Sequence, residues 1–261
     1  MKPHQILPYP PSASRQAQKS SIIDAVLEDK LEKVEERIAK AAARAGRTRD
    51  AVTLIAVTKK FAPNVIREAF LLGIRDFGEN YVQEFQGKDD HVADLLEARF
   101  HLIGHLQGNK ARPAAELFDV IQTVDAPKLA QRLNSLIAKS DGEIRLKEIM
   151  LEVKLSDEEA KEGVAPADLP ALIEAVRACE HLKLTGLMTM PPFSNKPEDS
   201  RPYFRQLAEL ARAHKIDGLS MGMSHDLEVA IEEGATHIRV GTALFGARPK
   251  PKVKAAEPEF S

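Results

Sequence analysis

Cysteine is nearly absent from the chain: Cys179 is the single one among 261 residues. No internal disulfide can form, and no CxxC or Cys/His cluster offers the spacing of a structural zinc site. The sequence therefore suits a reducing, cytoplasmic setting, and no metal ligand is assigned. Long apolar runs are missing as well. None approaches the ~20 residues of a membrane-spanning helix. Residues 1–21 hold nothing longer than Ile6-Leu7, where a secretory signal needs an apolar core of about 7–15 residues. Charge of one sign is lacking too. The formal net charge is −2, so nothing draws the whole molecule toward nucleic acid or an acidic membrane. No GxGxxG follows the first β-rich run, which removes the usual dinucleotide-binding turn.

What is present is an ordinary globular composition, 43% hydrophobic and 29% charged, in a length that suits one large domain or two small ones. The start, "MKPHQILPYPPSASRQAQKSS", carries four of the sixteen prolines and no period of helix or strand. Residues 1–20 read as a mobile extension, and residues 249–261 as a flexible tail. The domain is expected over 21–248. Within it an amphipathic stretch, 22–45, places Val26, Val34 and Ile38 at near-helical spacing before Gly46. Eight β-rich runs follow, at 52–58, 74–78, 100–103, 120–124, 149–155, 182–188, 218–221 and 237–240. Helical patterns fill the gaps at 63–72, 81–98, 109–117, 127–138, 168–178, 202–213 and 227–233. Such alternation implies parallel strands with helical crossovers, and eight units in about 250 residues is the size of a (β/α)8 TIM barrel.

In a barrel, chemistry belongs at the C-terminal strand ends, and this chain crowds polar residues there. The first strand, "LIAVTKK", stops at Thr58, Lys59 and Lys60. The second ends in Gly78, Glu79 and Asn80, and the third is followed by His105, Gln107, Asn109 and Lys110. After strands seven and eight come "GMSHDLE" and "VGTALFG". Ser224 can cap a helix whose first turn carries Asp226, while Gly241 and Thr242 can open another helical turn. Both are suited to cradle a phosphate with helix-start N–H groups. Alternation in "HIRVGT" points Arg239 into the barrel, where a cation needs an anion or an interior acid such as Glu79 or Glu152. A lysine, a cationic cup and a phosphate cradle together suggest pyridoxal 5′-phosphate. Its aldehyde takes a lysine amine as a Schiff base, and its phosphate anchors elsewhere. By position either Lys59 or Lys60 could be that amine; Lys59 shares parity with Ile55 and Val57.

The blocks "LIAVTK", "DFGENYVQE", "FHLIGHLQGNK", "LTGLMTMPP", "LSMGMSHDLEVAI" and "RVGTALFGAR" occur in this order over some three quarters of the chain. In them the sequence resembles the pyridoxal phosphate homeostasis (YggS/PROSC) family, whose barrel is similar to the N-terminal domain of alanine racemase, a fold type III architecture. The resemblance implies a Schiff base at Lys59 and phosphate contacts from Ser224, Gly241 and Thr242. It also implies pocket roles for Asn80 and Arg239, with Met223 placed beside them.

Three function classes are open at this point: a cofactor carrier acting in vitamin B6 homeostasis, a racemase or aldolase of the same fold, and an unrelated phosphate-ligand enzyme. In racemases of this type a tyrosine from a separate C-terminal domain, acting across a dimer, supplies the second acid–base group. Here the chain ends about twenty residues after the eighth strand, so that domain is expected to be absent and the protein monomeric. An arginine at the ring nitrogen would also weaken the electron sink that turnover needs. A carrier is expected, with no catalytic residue assigned, exchanging cofactor with pyridoxal phosphate-dependent apo-enzymes. The bland readings make His105 and His225 surface groups and Met188, Met190, Met221 and Met223 packing around the cup.

Overall fold

The computed structural model describes residues 22–138, 146–156, 158 and 162–247. The proline-bearing start and the tail from 249 onward lie outside the described residues. Eight strands close into a parallel barrel in chain order: β1 (Thr53–Val57), β2 (Asp76–Glu79), β3 (Arg99–Leu102), β4 (Val120–Val124), β5 (Lys147–Glu152), β6 (Leu182–Met188), β7 (Gly218–Met223) and β8 (His237–Val240). Closure is made by β8 against β1, with Leu54 opposite Ile238 and Ile55 opposite Arg239. The helices are α1 (Ile22–Arg44), α2 (Pro63–Leu71), α3 (Val82–Gln86), α4 (Ala111–Leu117), α5 (Pro127–Ile137), α6 (Leu169–Arg177), α7 (Arg201–His214), α8 (Leu227–Glu232) and α9 (Thr242–Phe245). The TIM-barrel expectation is met. No helix among the described residues is long and apolar enough to cross a membrane.

Two local expectations are corrected. Val26 is 48% exposed, and Leu27 takes the buried position with Val34, Ile38 and Ala41. At about 100° per residue, seven residues return to nearly the same face while eight overshoot it by about 80°. The 81–98 pattern forms only the short α3 and a 3₁₀ turn, Asp89–His91. Gly87 ends α3, and the next residue, Lys88, turns inward as a buried cation.

Strand parity divides the core in two. Leu54, Ala56, Phe77, Phe100, Leu102, Ile121, Leu151, Ile238 and Val240 belong to the apolar cluster that packs under the helices. Ile55, Val57, Ile103, Met150 and Met188 are equally buried but stand outside that cluster, on the inner face. Aliphatic layers usually fill such an interior; here a hydrogen-bonded chain crosses it. The Asp76 carboxylate meets His101 Nε2 at 2.8 Å, and His101 Nδ1 meets Gln122 Nε2 at 3.0 Å. Ser220 Oγ donates to Gln122 Oε1 at 2.6 Å, and Arg239 donates to Ser220 Oγ at 2.7 Å. Each buried polar group gains a partner this way, which is what makes its burial tolerable.

His237 sits at the foot of this chain, its ring 6.5 Å from that of His101. Burial, and then the nearby His101, push its pKa down to about 4. Below pH 6.5 the unfolded chain takes up a proton at this residue that the folded chain refuses until about pH 4. Stability present above pH 6.5 is therefore lost as pH falls through that window. A His237→Gln variant should lose less between pH 7 and 4.5 than the parent, by on the order of 2 kcal/mol. Denaturant unfolding at both pH values reads this, and parallel losses in the two proteins would contradict it.

Candidate functional site at the barrel mouth

β1 runs out into Thr58, whose hydroxyl lies on the outer side with Glu79 and Lys88, and Lys59 follows at the C-terminal rim with the parity of Ile55 and Val57. Thr58 is fully buried, Lys59 half-buried and Lys60 exposed. Phe61 N donates to the Thr58 carbonyl at 3.1 Å, closing a turn in which Lys60 adopts φ 66°. That left-handed conformation is strained for a residue with a Cβ, so the surroundings must hold it. They do so through a buried ion cluster. Lys88 Nζ donates to the Thr58 carbonyl at 3.0 Å, to Glu79 Oε1 at 2.9 Å and to Glu84 Oε1 at 2.7 Å. Thr58 Oγ1 donates to the same Glu79 oxygen at 2.8 Å, and the Lys60 N–H donates to Glu84. Burial pushes the Glu79 carboxyl up, opposed by the Lys88 ammonium. Both residues flanking Lys59 are thus tied to one cluster of three charges, Thr58 to Glu79 and Lys88 and Lys60 to Glu84.

Glu79 is therefore no partner for Arg239. Its parity follows Phe77 outward, and its cation is Lys88. Arg239 is 3% exposed and bonds instead to Ser220 Oγ and, at 2.8 Å, to the Thr189 carbonyl. Burial lowers its pKa to about 10, with Asp226 and Glu152 pulling the other way, so it stays cationic at neutral pH. Two neutral acceptors, rather than a carboxylate among the described residues, satisfy it directly. Glu152 shares the inner side, and burial, reinforced by Asp125, raises its pKa to about 7.

The loops after β7 and β8 meet. Gly222, at φ 91°, lets β7 turn where a Cβ would lie 2.4 Å from that of Ala230. Ser224 does not cap α8 as expected. Asp226 folds back to accept from Met223 N at 2.6 Å and Ser200 Oγ at 2.9 Å, and it occupies the cap position of α8 itself. This frees Ser224 Oγ to accept from Gly241 N at 3.3 Å and Ala243 N at 3.2 Å, the start of α9. Arg37 of α1 pins the same loop, donating to the Ser224 carbonyl at 2.9 Å and pairing with Glu228 at 2.6 Å. Met223 and Gly241 are half-buried and Thr242 exposed at this edge. Asn80, at the end of β2, keeps its Oδ1 buried without a hydrogen-bond partner.

The fold thus gathers Lys59, Asn80, Met223, Ser224, Arg239, Gly241 and Thr242 at strand ends on one side of the rim, that of β7, β8, β1 and β2. Sequence reasoning missed Lys88 and Arg37, which hold the presenting turn and loop. A lysine four residues after Glu84 was the only signal for the first, and it reads equally as a solvated helix pair.

Comparison with known proteins places this geometry in a family. The model of the alanine racemase N-terminal domain matches residues 30–249. A pyridoxal phosphate homeostasis protein of Pseudomonas aeruginosa is 46% identical over 222 residues, covering 84% of this chain and 95% of its own. The chain belongs to the pyridoxal phosphate homeostasis family. PipY of Synechococcus elongatus, solved with pyridoxal phosphate bound, is 39% identical at TM-score 0.70, covering 80% of this chain and all of PipY. Alanine racemase of Clostridium difficile shares the fold at 14% identity and TM-score 0.66, with 88% of this chain matched to 58% of that one.

The ion cluster behind Lys59 gives a direct test. Lys88→Met leaves the Glu79 carboxylate buried without its cation, which should cost about 3–5 kcal/mol at pH 7. Guanidinium unfolding measures it, and a loss under about 1 kcal/mol, the range of an exposed pair, would show that the cluster does not hold the turn.

Proposed function

We propose that this chain binds pyridoxal 5′-phosphate at the barrel mouth, holds it covalently at Lys59 and serves intracellular pyridoxal phosphate homeostasis without substantial turnover. The observation carrying this reading is the convergence of a half-buried lysine, a buried arginine and two helix-start loops on one side of the rim. The family relationship and the pyridoxal phosphate in PipY support the ligand. When bound, the cofactor supplies an aldehyde that condenses with an amine; every other requirement falls to the protein.

The residues present fit that group. Lys59 suits the covalent role better than Lys60, which is exposed and whose backbone N–H is committed to Glu84. Ser224 Oγ gathers the N–H groups of Gly241 and Ala243 at the start of α9, with the exposed Thr242 hydroxyl at the same helix start; hydroxyls and a helix start in this arrangement favour a phosphate. Asn80 Oδ1 lacks a partner and can accept from a ligand donor. Arg239 and Met223 would line the ring. An arginine with a pKa near 10 keeps its protons, so it can donate to a ring nitrogen but cannot help protonate it. That disfavours carbanion chemistry and favours storage. Apo-enzymes that need the cofactor are the proposed recipients, with the chain acting as a monomer in the cytoplasm.

Borohydride reduction of the loaded protein followed by peptide mass mapping should place the pyridoxyl group on Lys59; a label on Lys60, or none, overturns the assignment. Ser224→Ala should weaken retention about ten- to a hundredfold, as loss of one hydrogen bond to a charged group costs roughly 1.5–3 kcal/mol. An unchanged dissociation constant would put the phosphate elsewhere. Low turnover is checked by α-proton exchange of amino acids in heavy water. Lys59-dependent rates on the order of 1 per second or faster would make the protein an enzyme.

A further inference from the structure

A second polar cluster lies on the other side of the rim, at the ends of β3, β4 and β5, and the pyridoxal phosphate reading uses none of it. His105 follows β3, Asp125 follows β4, Glu152 ends β5, and Glu162 returns from the segment beyond. His105 Nδ1 is 3.8 Å from Asp125 Oδ2 and 3.9 Å from Glu162 Oε2. These separations are too long for hydrogen bonds. Ligand atoms of all three residues nevertheless lie within 4.8 Å of one another. We propose that His105, Asp125 and Glu162 form a site for one divalent transition cation of the Mn²⁺ or Zn²⁺ class, with the buried Glu152 carboxylate beside it.

Three observations carry the proposal. The first is spacing. Ligands about 2.0–2.2 Å from a common metal lie roughly 3–4 Å apart, so the three atoms need to move inward by only a few tenths of an ångström. One imidazole with carboxylates suits Zn²⁺ or Mn²⁺ better than the all-oxygen sets of Ca²⁺ and Mg²⁺.

The second is an unpartnered buried carboxylate. Glu152 is 4% exposed and its Oε2 has no hydrogen-bond partner, and the nearby Ser156 Oγ is buried and unpartnered as well. Glu152, Ser156 and Glu162 line one cavity of about 160 Å³, together with Lys154 and Met190. A buried carboxylate without a partner is costly; Glu162 is shared by this cavity and the three-residue cluster, so a cation held at the cluster would lie next to Glu152 and lower that cost.

The third is that the backbone is built to bring Glu162 here. Val164 N donates to the Glu152 carbonyl at 2.8 Å, Lys154 N donates to the Val164 carbonyl at 2.9 Å, and Val153 and Val164 form a parallel bridge. Gly163, at φ 117°, permits the approach: a Cβ there would lie 2.8 Å from Lys154 N and 3.1 Å from the Glu152 carbonyl. Glu162 is thereby fastened to the strand end carrying Glu152 rather than left on a wandering loop.

None of these residues is assigned to pyridoxal phosphate, so the test does not require the cofactor. The full chain, treated with chelator and then freed of it, is titrated with Mn²⁺ and with Zn²⁺ by calorimetry. One saturable site per chain is expected, weakened at least tenfold by Asp125→Asn and by Glu162→Gln. Thermal unfolding in the presence of the bound ion should shift upward for the parent chain and much less for these variants. Both substitutions preserve shape, and His105→Ala gives a third removal at a partly exposed residue. Absence of saturable binding to the parent chain overturns the proposal, as does equal binding by the parent and the folded variants.

Discussion

A buried ion pair between Glu79 and Lys88 sits behind the strand end that presents Lys59, and the mouth of the barrel depends on it. A strand cannot by itself fix the residues beyond its end. Here Thr58 points outward into the pair, and Lys60 takes a left-handed turn with its N–H donated to Glu84, which shares Lys88 with Glu79. The polar tail of "LIAVTKK" is thus divided: the threonine is buried in the scaffold, the first lysine is half-buried and the second is exposed. A buried pair contributes little net stability compared with apolar packing. What it supplies is a fixed conformation for three consecutive residues.

The inner face obeys similar logic. A cation is placed in the barrel at Arg239 and satisfied by neutral acceptors, Ser220 and the Thr189 carbonyl, rather than by a carboxylate. Its charge is therefore not cancelled at short range, which leaves it available to an electron-rich ligand. The chain from Ser220 through Gln122 and His101 to Asp76 fixes which way each side chain points, because each member is held by its neighbour. At the opposite edge α1 works from outside, with Arg37 holding the loop whose serine meets the α9 start. Hydrogen bonds thus tie together the side of the cup that would take a cofactor.

The barrel was legible because alternating apolar runs and helical stretches directly report a parallel sheet with crossovers. The inward position of Arg239 was legible through period-two parity, which needs no knowledge of neighbours; parity left Lys59 and Lys60 both open, and only the family resemblance separated them. Partners were not. Lys88 lies in a stretch whose pattern reads as helix, and only the break at Gly87 turns it inward. Ser224 was assigned to the helix just after it, since sequence alone does not reveal that Asp226 takes the cap and leaves the serine to another loop. The network His101–Gln122–Ser220 and the rim group His105, Asp125, Glu152 and Glu162 are assembled from distant segments with no shared spacing. Such groups become visible only once the barrel has closed.

The central claim is that the Glu79–Lys88 pair positions Lys59 rather than merely stabilising the fold. Replacing both partners at once, Glu79→Leu with Lys88→Met, separates the two roles, because exchanging a buried pair for apolar groups is often neutral for stability. The direct measurement is the dissociation constant for pyridoxal phosphate of this double variant beside the parent chain. The expected result is a folded barrel with an unchanged unfolding midpoint and affinity weakened about tenfold or more, equivalent to roughly 1.4 kcal/mol. A folded double variant that binds as tightly as the parent would contradict the claim.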